Sequence, residues 1–330
     1  MNKLKENFKK SFFIVNKIYL YIIFILLSFV DFTLAFYYFI VSIIIFLGKL
    51  LTSKLPLEPK KDFNYKTYSY KKSDGKDLKM DIWYPNNPTQ KLYPLVFFCH
   101  GGGWISGFRN QKNNISWCKY LASKGFCASS IDYRYGIKNS MEDILSDYTD
   151  ALDYIKKNSE KLNIDTNNIV LMGLSAGGHL SLLYSTYNSF IKDNKKMEGI
   201  KGVVAYYAPS DLNDIFISEN KSLFARFSAK KTLKATPLEK KEIYDYYSPI
   251  NWITENMVPC LIVHGKQDTT VPFYSSVKLI KELKAHNVKC EFLVHKNGSH
   301  SFDTRLNDLT TVNILEKTVR FVKKTFAIHL

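Results

Sequence analysis

The sequence of 330 residues is poor in cysteine, and its few cysteines follow no pattern. The five, at 99, 118, 127, 260 and 290, form neither a C-x-x-C pair nor a Cys/His set at metal-ligand spacing. That removes zinc modules and small disulfide scaffolds from consideration. Cys99, Cys127, Cys260 and Cys290 fall in or beside apolar runs, where a free thiol behaves as a small hydrophobe. Arginine is scarce too: five of 46 basic residues, at 109, 134, 226, 305 and 320. Planar reading of phosphate and guanine favours Arg, so no nucleic-acid partner is expected despite the net charge of +16. Anionic lipid headgroups suit a lysine excess better. There is no G-x-x-x-x-G-K-[ST] phosphate loop and no internal repeat, and 46% hydrophobic residues exclude a disordered chain.

Apolar residues crowd the N-terminus. Lys3, Lys5, Lys9 and Lys10 precede apolar runs over 18–30 and 32–47, separated by Asp31. Each run falls short of the roughly 20 residues a membrane span needs, but extension to 12 and to 51 makes both long enough. Three arrangements stay open: a helical hairpin with Asp31 at its tip, one span over about 30–51, or a signal peptide cleaved near Thr33-Leu34-Ala35. The expectation is an N-terminal transmembrane segment over 1–55, a lipid bilayer as partner and a membrane-anchored protein. Lysines flanking a hairpin on both sides would put the catalytic body in the cytoplasm; a single span with the body outside stays open.

Pro56 and Pro59 mark a linker, and 56–330 suits one domain. Residues 79–84 alternate apolar and polar, as an edge strand does. Short apolar runs at 95–99, 128–131, 169–172, 203–207, 261–264 and 290–294 read as buried strands. Helical stripes lie between them: Ile144, Leu145, Tyr148, Ala151, Leu152 and Ile155; then Val277, Ile280 and Leu283; then Leu309, Val312, Leu315, Val319 and Val322. The pattern predicts an α/β fold, a mostly parallel central sheet with helices on both faces, and ligands at the carboxyl ends of its strands.

At one strand end stands Gly173-Leu174-Ser175-Ala176-Gly177, followed by an apolar helix over 180–187. A strand–turn–helix with G-x-S-x-G pushes the serine hydroxyl out above the sheet at a helix N-terminus. His100-Gly101-Gly102-Gly103-Trp104 closes the strand 95–99, and its bare backbone suits an oxyanion hole. Seven histidines compete as base. His300, in a polar loop beyond the last strand, is the choice over His295 at the strand end, His179 on the serine's own helix, His100 in the glycine loop and His264 closing a strand; His286 and His329 read as surface. For the orienting acid, Asp268 beyond the strand 261–264 is preferred to Asp211, which reads equally as a helix cap. A glycan on the Asn297 sequon would crowd His300, a second pointer to the cytoplasm.

These pieces, with Met80–Pro85, Gly107, Ile131-Asp132-Tyr133-Arg134, Ser248-Pro249 and His264-Gly265, come in one order over about 65–325. In that order the chain resembles the α/β-hydrolase superfamily, and within it the esterases related to hormone-sensitive lipase and to bacterial feruloyl/acetyl-xylan-type enzymes. The resemblance implies a Ser175–Asp268–His300 triad, with Gly102, Gly103 and Ala176 supplying oxyanion amides. Two departures stand out. Gly136 follows Tyr135 where relatives often carry a proline turn, and the large N-terminal cap is absent.

The expected activity is serine hydrolysis of a carboxylic ester through an acyl-enzyme, without metal or organic cofactor. A small cap insertion is expected at about 211–250, carrying Phe216, Phe224, Phe227, Tyr244, Tyr246 and Tyr247. Beside Trp104 these rings would line an apolar pocket for a small, lipophilic ester, or else simply pack the insertion onto the body. Prenylcysteine-methylesterase, formamidase and peptidase activities on the same triad are alternatives, as is a non-catalytic binding protein of the same fold or a lipid-surface scaffold. Oligomeric state is not legible.

Overall fold

A computed structural model describes residues 54–73, 75–86 and 92–327, together with Thr33 and Tyr37. The chain divides into two compact units, Met1–Ser53 and Lys54–Leu330. Of the first, only Thr33 and Tyr37 are described, both helical and exposed.

The second unit is built on an eight-stranded sheet. Its strands are β1 (Tyr65–Ser73), β2 (Lys76–Trp83), β3 (Tyr93–Cys99), β4 (Cys127–Ile131), β5 (Ile164–Leu174), β6 (Ile200–Tyr206), β7 (Cys260–Gly265) and β8 (Cys290–His295). The spatial order is β1-β2-β4-β3-β5-β6-β7-β8. Pairing is antiparallel at β1·β2 and β2·β4 and parallel from there on. Strand β1 has no counterpart in the sequence reading. Its YKTYSYKKS carries no Val or Ile, and its outer position leaves it exposed, so hydrophobic alternation gives little signal. It also moves β2 inward from the expected edge.

Among the described residues five longer helices cover the sheet, α1 (Lys112–Ser123), α2 (Met141–Lys157), α3 (Ala176–Phe190), α5 (Phe273–Ala285) and α6 (Leu309–Thr325), while α4 (Leu223–Leu233) lies in the segment between β6 and β7. Successive side chains on a strand point to opposite faces, and the core splits accordingly. Leu95, Phe97, Ile169 and Leu171 pack with Ile144, Tyr148 and Leu152 of α2 and with Leu180 and Leu279 of α3 and α5. Val96, Phe98, Val170 and Met172 pack with Trp117 and Leu121 of α1 and with Leu315 and Val322 of α6. The strands are buried on both faces, which is why they read as unbroken apolar runs.

The expected membrane anchoring, and the localisation drawn from it, must be corrected. No helix among the described residues is long and apolar enough to cross a membrane. The longest, α2 and α6, have 17 residues each and turn Lys and Glu outward, against the roughly 20 apolar residues a span requires. Most of the segment 1–55 that carried the expectation lies outside the described residues.

Strand order reverses around β3, since the chain goes out to β4 and returns to β5 on the other side. The carboxyl ends of β3 and β5 therefore flank a switch point, where open α/β sheets bind ligands. An ion cluster ties α2 to β1 and to the segment beyond β4. Arg134, just beyond β4, reaches Asp147 of α2 through Nε at 2.8 Å and Nη2 at 2.9 Å, while Lys71 of β1 adds a third contact at 2.8 Å. Asp147 is fully buried, whereas its neighbour Asp143, also on Arg134, is 39% exposed. Removing one member of a buried pair costs far more than removing an exposed one. Asp147→Ala is expected to lower stability by about 3 kcal/mol, and Asp143→Ala, which also forfeits a helix cap, by about 1 kcal/mol, both read from urea unfolding midpoints.

Candidate active site

Ser175 sits between β5 and α3 with φ 51° and ψ −118°, a left-handed conformation rare for a residue with a side chain. Its N–H donates to the Tyr206 carbonyl at 2.8 Å, which ties the turn to β6. The turn is possible because Gly177 presents no Cβ: a methyl there would collide with the Cys99 carbonyl at the end of β3. The β3 loop is thereby drawn beside the serine, and a methyl on Gly101 would stand 3.3 Å from Ser175 Cβ.

His300 Nε2 lies 3.0 Å from Ser175 Oγ, and His300 Nδ1 lies 2.7 Å from Asp268 Oδ2. The carboxylate is fully buried and heavily partnered. Its Oδ1 accepts from the N–H groups of Thr270 at 2.8 Å and Val271 at 3.0 Å, and its Oδ2 also lies 3.1 Å from His264 Nε2. Burial works to raise the Asp268 carboxyl, but the charge of His300 and the hydrogen bonds from His264 and His300 outweigh it. The group is held well below the usual carboxylate range. The rival, Asp211, caps a short helical turn by accepting from Asn213 N–H and pairs with Lys278.

The glycine loop is aimed by its carbonyls. In a trans peptide the C=O and the following N–H point opposite ways, so fixing one aims the other. The Gly101 carbonyl accepts from His100 Nδ1 at 2.6 Å, which turns the Gly102 N–H the other way. The Gly102 carbonyl accepts from the N–H groups of Ile105 and Ser106 and from Ser106 Oγ, which does the same for the Gly103 N–H. Gly102 reaches this with φ 123°, where a Cβ would collide with the Ser106 carbonyl. Among the described residues nothing accepts from the N–H groups of Gly102, Gly103 or Ala176, the last being the first residue of α3.

Two buried histidines serve this scaffold as neutral rings. His100 stacks on Tyr133 at 4.4 Å. His179 Nδ1 accepts from Trp104 Nε1 at 3.3 Å, and its Nε2 donates to the Tyr247 carbonyl at 2.8 Å. Burial depresses both to about 4. Trp104 is thereby held only 3% exposed, behind the loop. His295 packs on Phe302 and meets Asp308 at 3.2 Å.

Two participants were missed by the sequence reading. His264, taken only as a strand end, also holds Asp268, with its Nδ1 2.7 Å from Ser276 Oγ. The pair His264/Asp268 at i, i+4 was the available signal. Asp303, fully buried, accepts from Trp117 Nε1 and from Tyr207 Oη, each at 2.8 Å, and the Tyr207 ring backs His300 at 4.6 Å. No local pattern links residues 117, 207 and 303. Beside the Asp268 turn opens a cavity of about 590 Å³, bounded by Ile217, Asn220, Thr269, Phe273 and Tyr274 but not by Ser175. Among the described residues no group of His, Cys, Asp or Glu could hold a metal ion.

A family model named BD-FAE matches residues 80–283, more than half of the chain, a stretch that includes the glycine loop, Ser175 and Asp268 but not His300. The chain belongs to the BD-FAE family. This places it among α/β-hydrolase esterases. It is 28% identical to Esterase LipC of Mycobacterium tuberculosis over 68% of this chain and 57% of that protein. It is 25% identical to a probable isoprenylcysteine alpha-carbonyl methylesterase of Oryza sativa subsp. japonica, over 70% of this chain and 56% of that one. The chain thus spans a little over half the length of these curated relatives. A solved truncated carbohydrate esterase from gut microbiota superposes with a TM-score of 0.69 over 82% of this chain and 99% of its own, at 22% identity, which speaks to the shared fold.

The neutral histidines give the BD-FAE scaffold a pH dependence. In the unfolded chain each takes up a proton near 6.5; in the folded chain only near 4. Stability is therefore complete above pH 6.5 and drains as pH falls toward 4, by up to ~3 kcal/mol per histidine. His179→Gln keeps both hydrogen bonds without a titrating ring. Urea unfolding at about pH 7 and about pH 4.5 should show a smaller acid loss in this variant than in wild type.

Proposed function

We propose that the chain hydrolyses carboxylic esters through an acyl-enzyme on Ser175. The observation that carries this reading is the unbroken hydrogen-bonded line from Ser175 Oγ through His300 to Asp268 Oδ2. Ser175 donates its proton to His300 Nε2 as Oγ attacks the ester carbonyl carbon. Asp268, kept ionised, holds His300 Nδ1–H and steadies the imidazolium that forms. The carbonyl oxygen, now an anion, accepts from the N–H groups of Gly102, Gly103 and Ala176, already oriented before substrate arrives. His300 returns its proton to the departing alkoxide. Water then attacks the acyl-enzyme with the same histidine as base.

A second reading is favoured by the methylesterase relative: hydrolysis of the methyl ester of a prenylated cysteine, with methanol leaving and a large acyl group retained. The two differ in which side of the ester is bulky, so assays with acetate esters and with a prenylcysteine methyl ester distinguish them.

Ser175→Ala should abolish phosphonylation by a fluorophosphonate probe and lower p-nitrophenyl butyrate hydrolysis by about a million-fold. Asp268→Asn should cost about ten-thousand-fold in kcat while leaving the chain folded. Phosphonylation persisting in Ser175→Ala would contradict the assignment.

A further inference from the structure

Resting on the ester-hydrolase reading, we propose that Phe224 of the cap helix α4 limits the substrate's acyl group to short chains.

The direction of the acyl group follows from the sheet. Around Ser175, just beyond β5, the glycine loop rises from β3 on one flank, while Asp268 and His300 follow β7 and β8 on the other. The leaving alcohol must face His300, which protonates it. With the alcohol facing His300 and the carbonyl oxygen on the loop amides, the acyl chain leaves on the side away from His300, past the glycine loop. The cavity beside Asp268 is lined by residues that follow β7, on the alcohol flank.

On the acyl flank stands α4. A methyl built on Gly103 would lie 2.8 Å from Ser228 Oγ and 3.0 Å from Phe224 Cζ, the ring tip. Thr232, one turn further, sits against Gly136, whose N–H donates to the Trp104 carbonyl at 2.8 Å. Phe224, Ser228 and Thr232 are spaced i, i+4, i+8, so one stripe of α4 faces the loop. Ser228 and Thr232 are buried; Phe224 is half-exposed at the open end of the stripe. Its ring tip is thus a large apolar group beside Gly103.

The helix is fastened at both ends. Arg226 Nη2 donates to the Ile217 and Asn220 carbonyls, each at 2.8 Å, and Lys234 Nζ donates to the Gly136 carbonyl at 2.7 Å. Ser222 caps its N-terminus by accepting from Ala225 N–H. These ties hold the α4 backbone in place, so the Phe224 ring stands beside the loop from a fixed Cα. Leu223 and Phe227 are 81% and 51% exposed, and neither is among the nearest neighbours of Gly103 or Gly136.

The test compares kcat/KM for p-nitrophenyl acetate, butyrate and octanoate in the full chain, for wild type, Phe224→Ala, Phe224→Trp and Phe227→Ala. Wild type should fall about tenfold or more from butyrate to octanoate. Phe224→Ala should raise the octanoate-to-acetate ratio by about tenfold, Phe224→Trp should lower the butyrate-to-acetate ratio, and Phe227→Ala should leave the ratios at the wild-type values. An unmoved ratio in Phe224→Ala, or an equal shift in Phe227→Ala, would overturn the proposal. Phosphonylation of Ser175 by a small fluorophosphonate is read on the same preparations. Reaction with unmoved ratios refutes the acyl limit alone; a wild type that does not react refutes the hydrolase reading and this inference with it.

Discussion

At the switch point of the sheet, the first turn of α3 lies against the end of β3 with no side chain between them. Gly177 meets the Cys99 carbonyl so closely that a single methyl would push the two apart. The serine turn and the glycine loop belong to different strands, and only this backbone-to-backbone approach makes them one site. The left-handed Ser175, the closeness of Gly101 and the facing N–H groups of Gly102, Gly103 and Ala176 all depend on it. The strain of such a turn, of order 1–3 kcal/mol, is offset by the ladder of strands and the helices packed behind it.

Around that contact, burial separates ionisable groups by their partners. Asp268 and Asp303 are both buried carboxyls within reach of His300, yet they are pushed in opposite directions. Asp268 faces two imidazoles and two backbone N–H groups, which outweigh desolvation and keep it charged. Desolvation prevails at Asp303, whose donors are an indole and a phenol, and its carboxyl rises. One acid is therefore kept as an anion on His300, and the other braces the Tyr207 ring against it. His100 and His179 follow the same logic with opposite charge type: buried without a carboxylate on either ring, they stay neutral and act as fixed donors and acceptors.

The core strands were legible because a sheet covered on both faces leaves unbroken apolar runs, and the serine turn because its glycines are local in sequence. Ser175, Asp268 and His300 could be named from strand ends in chain order, and His300 stands within hydrogen-bond distance of both other residues. What escaped had no local pattern. β1 is a lysine- and tyrosine-rich outer strand whose partner is chosen by the sheet. The Trp117–Asp303–Tyr207 brace joins residues 186 and 96 positions apart. The cap rings divided between the two expectations: Tyr244 is buried edge-on to Phe216, whereas Phe224 and Phe227 stand half-exposed. The apolar N-terminal run invited a membrane reading on length and composition alone, and no described helix supports it.

The central claim is that the amides of Gly102, Gly103 and Ala176 are aimed, before any substrate binds, at the oxygen of a group attached to Ser175. A crystal structure of the chain phosphonylated by a small organophosphonate tests this most directly. The account predicts phosphorus on Ser175 Oγ, with its free oxygen about 3 Å from those three nitrogens and the glycine loop unmoved. Phosphorus on another residue, or an oxygen turned to solvent away from the loop, would contradict it.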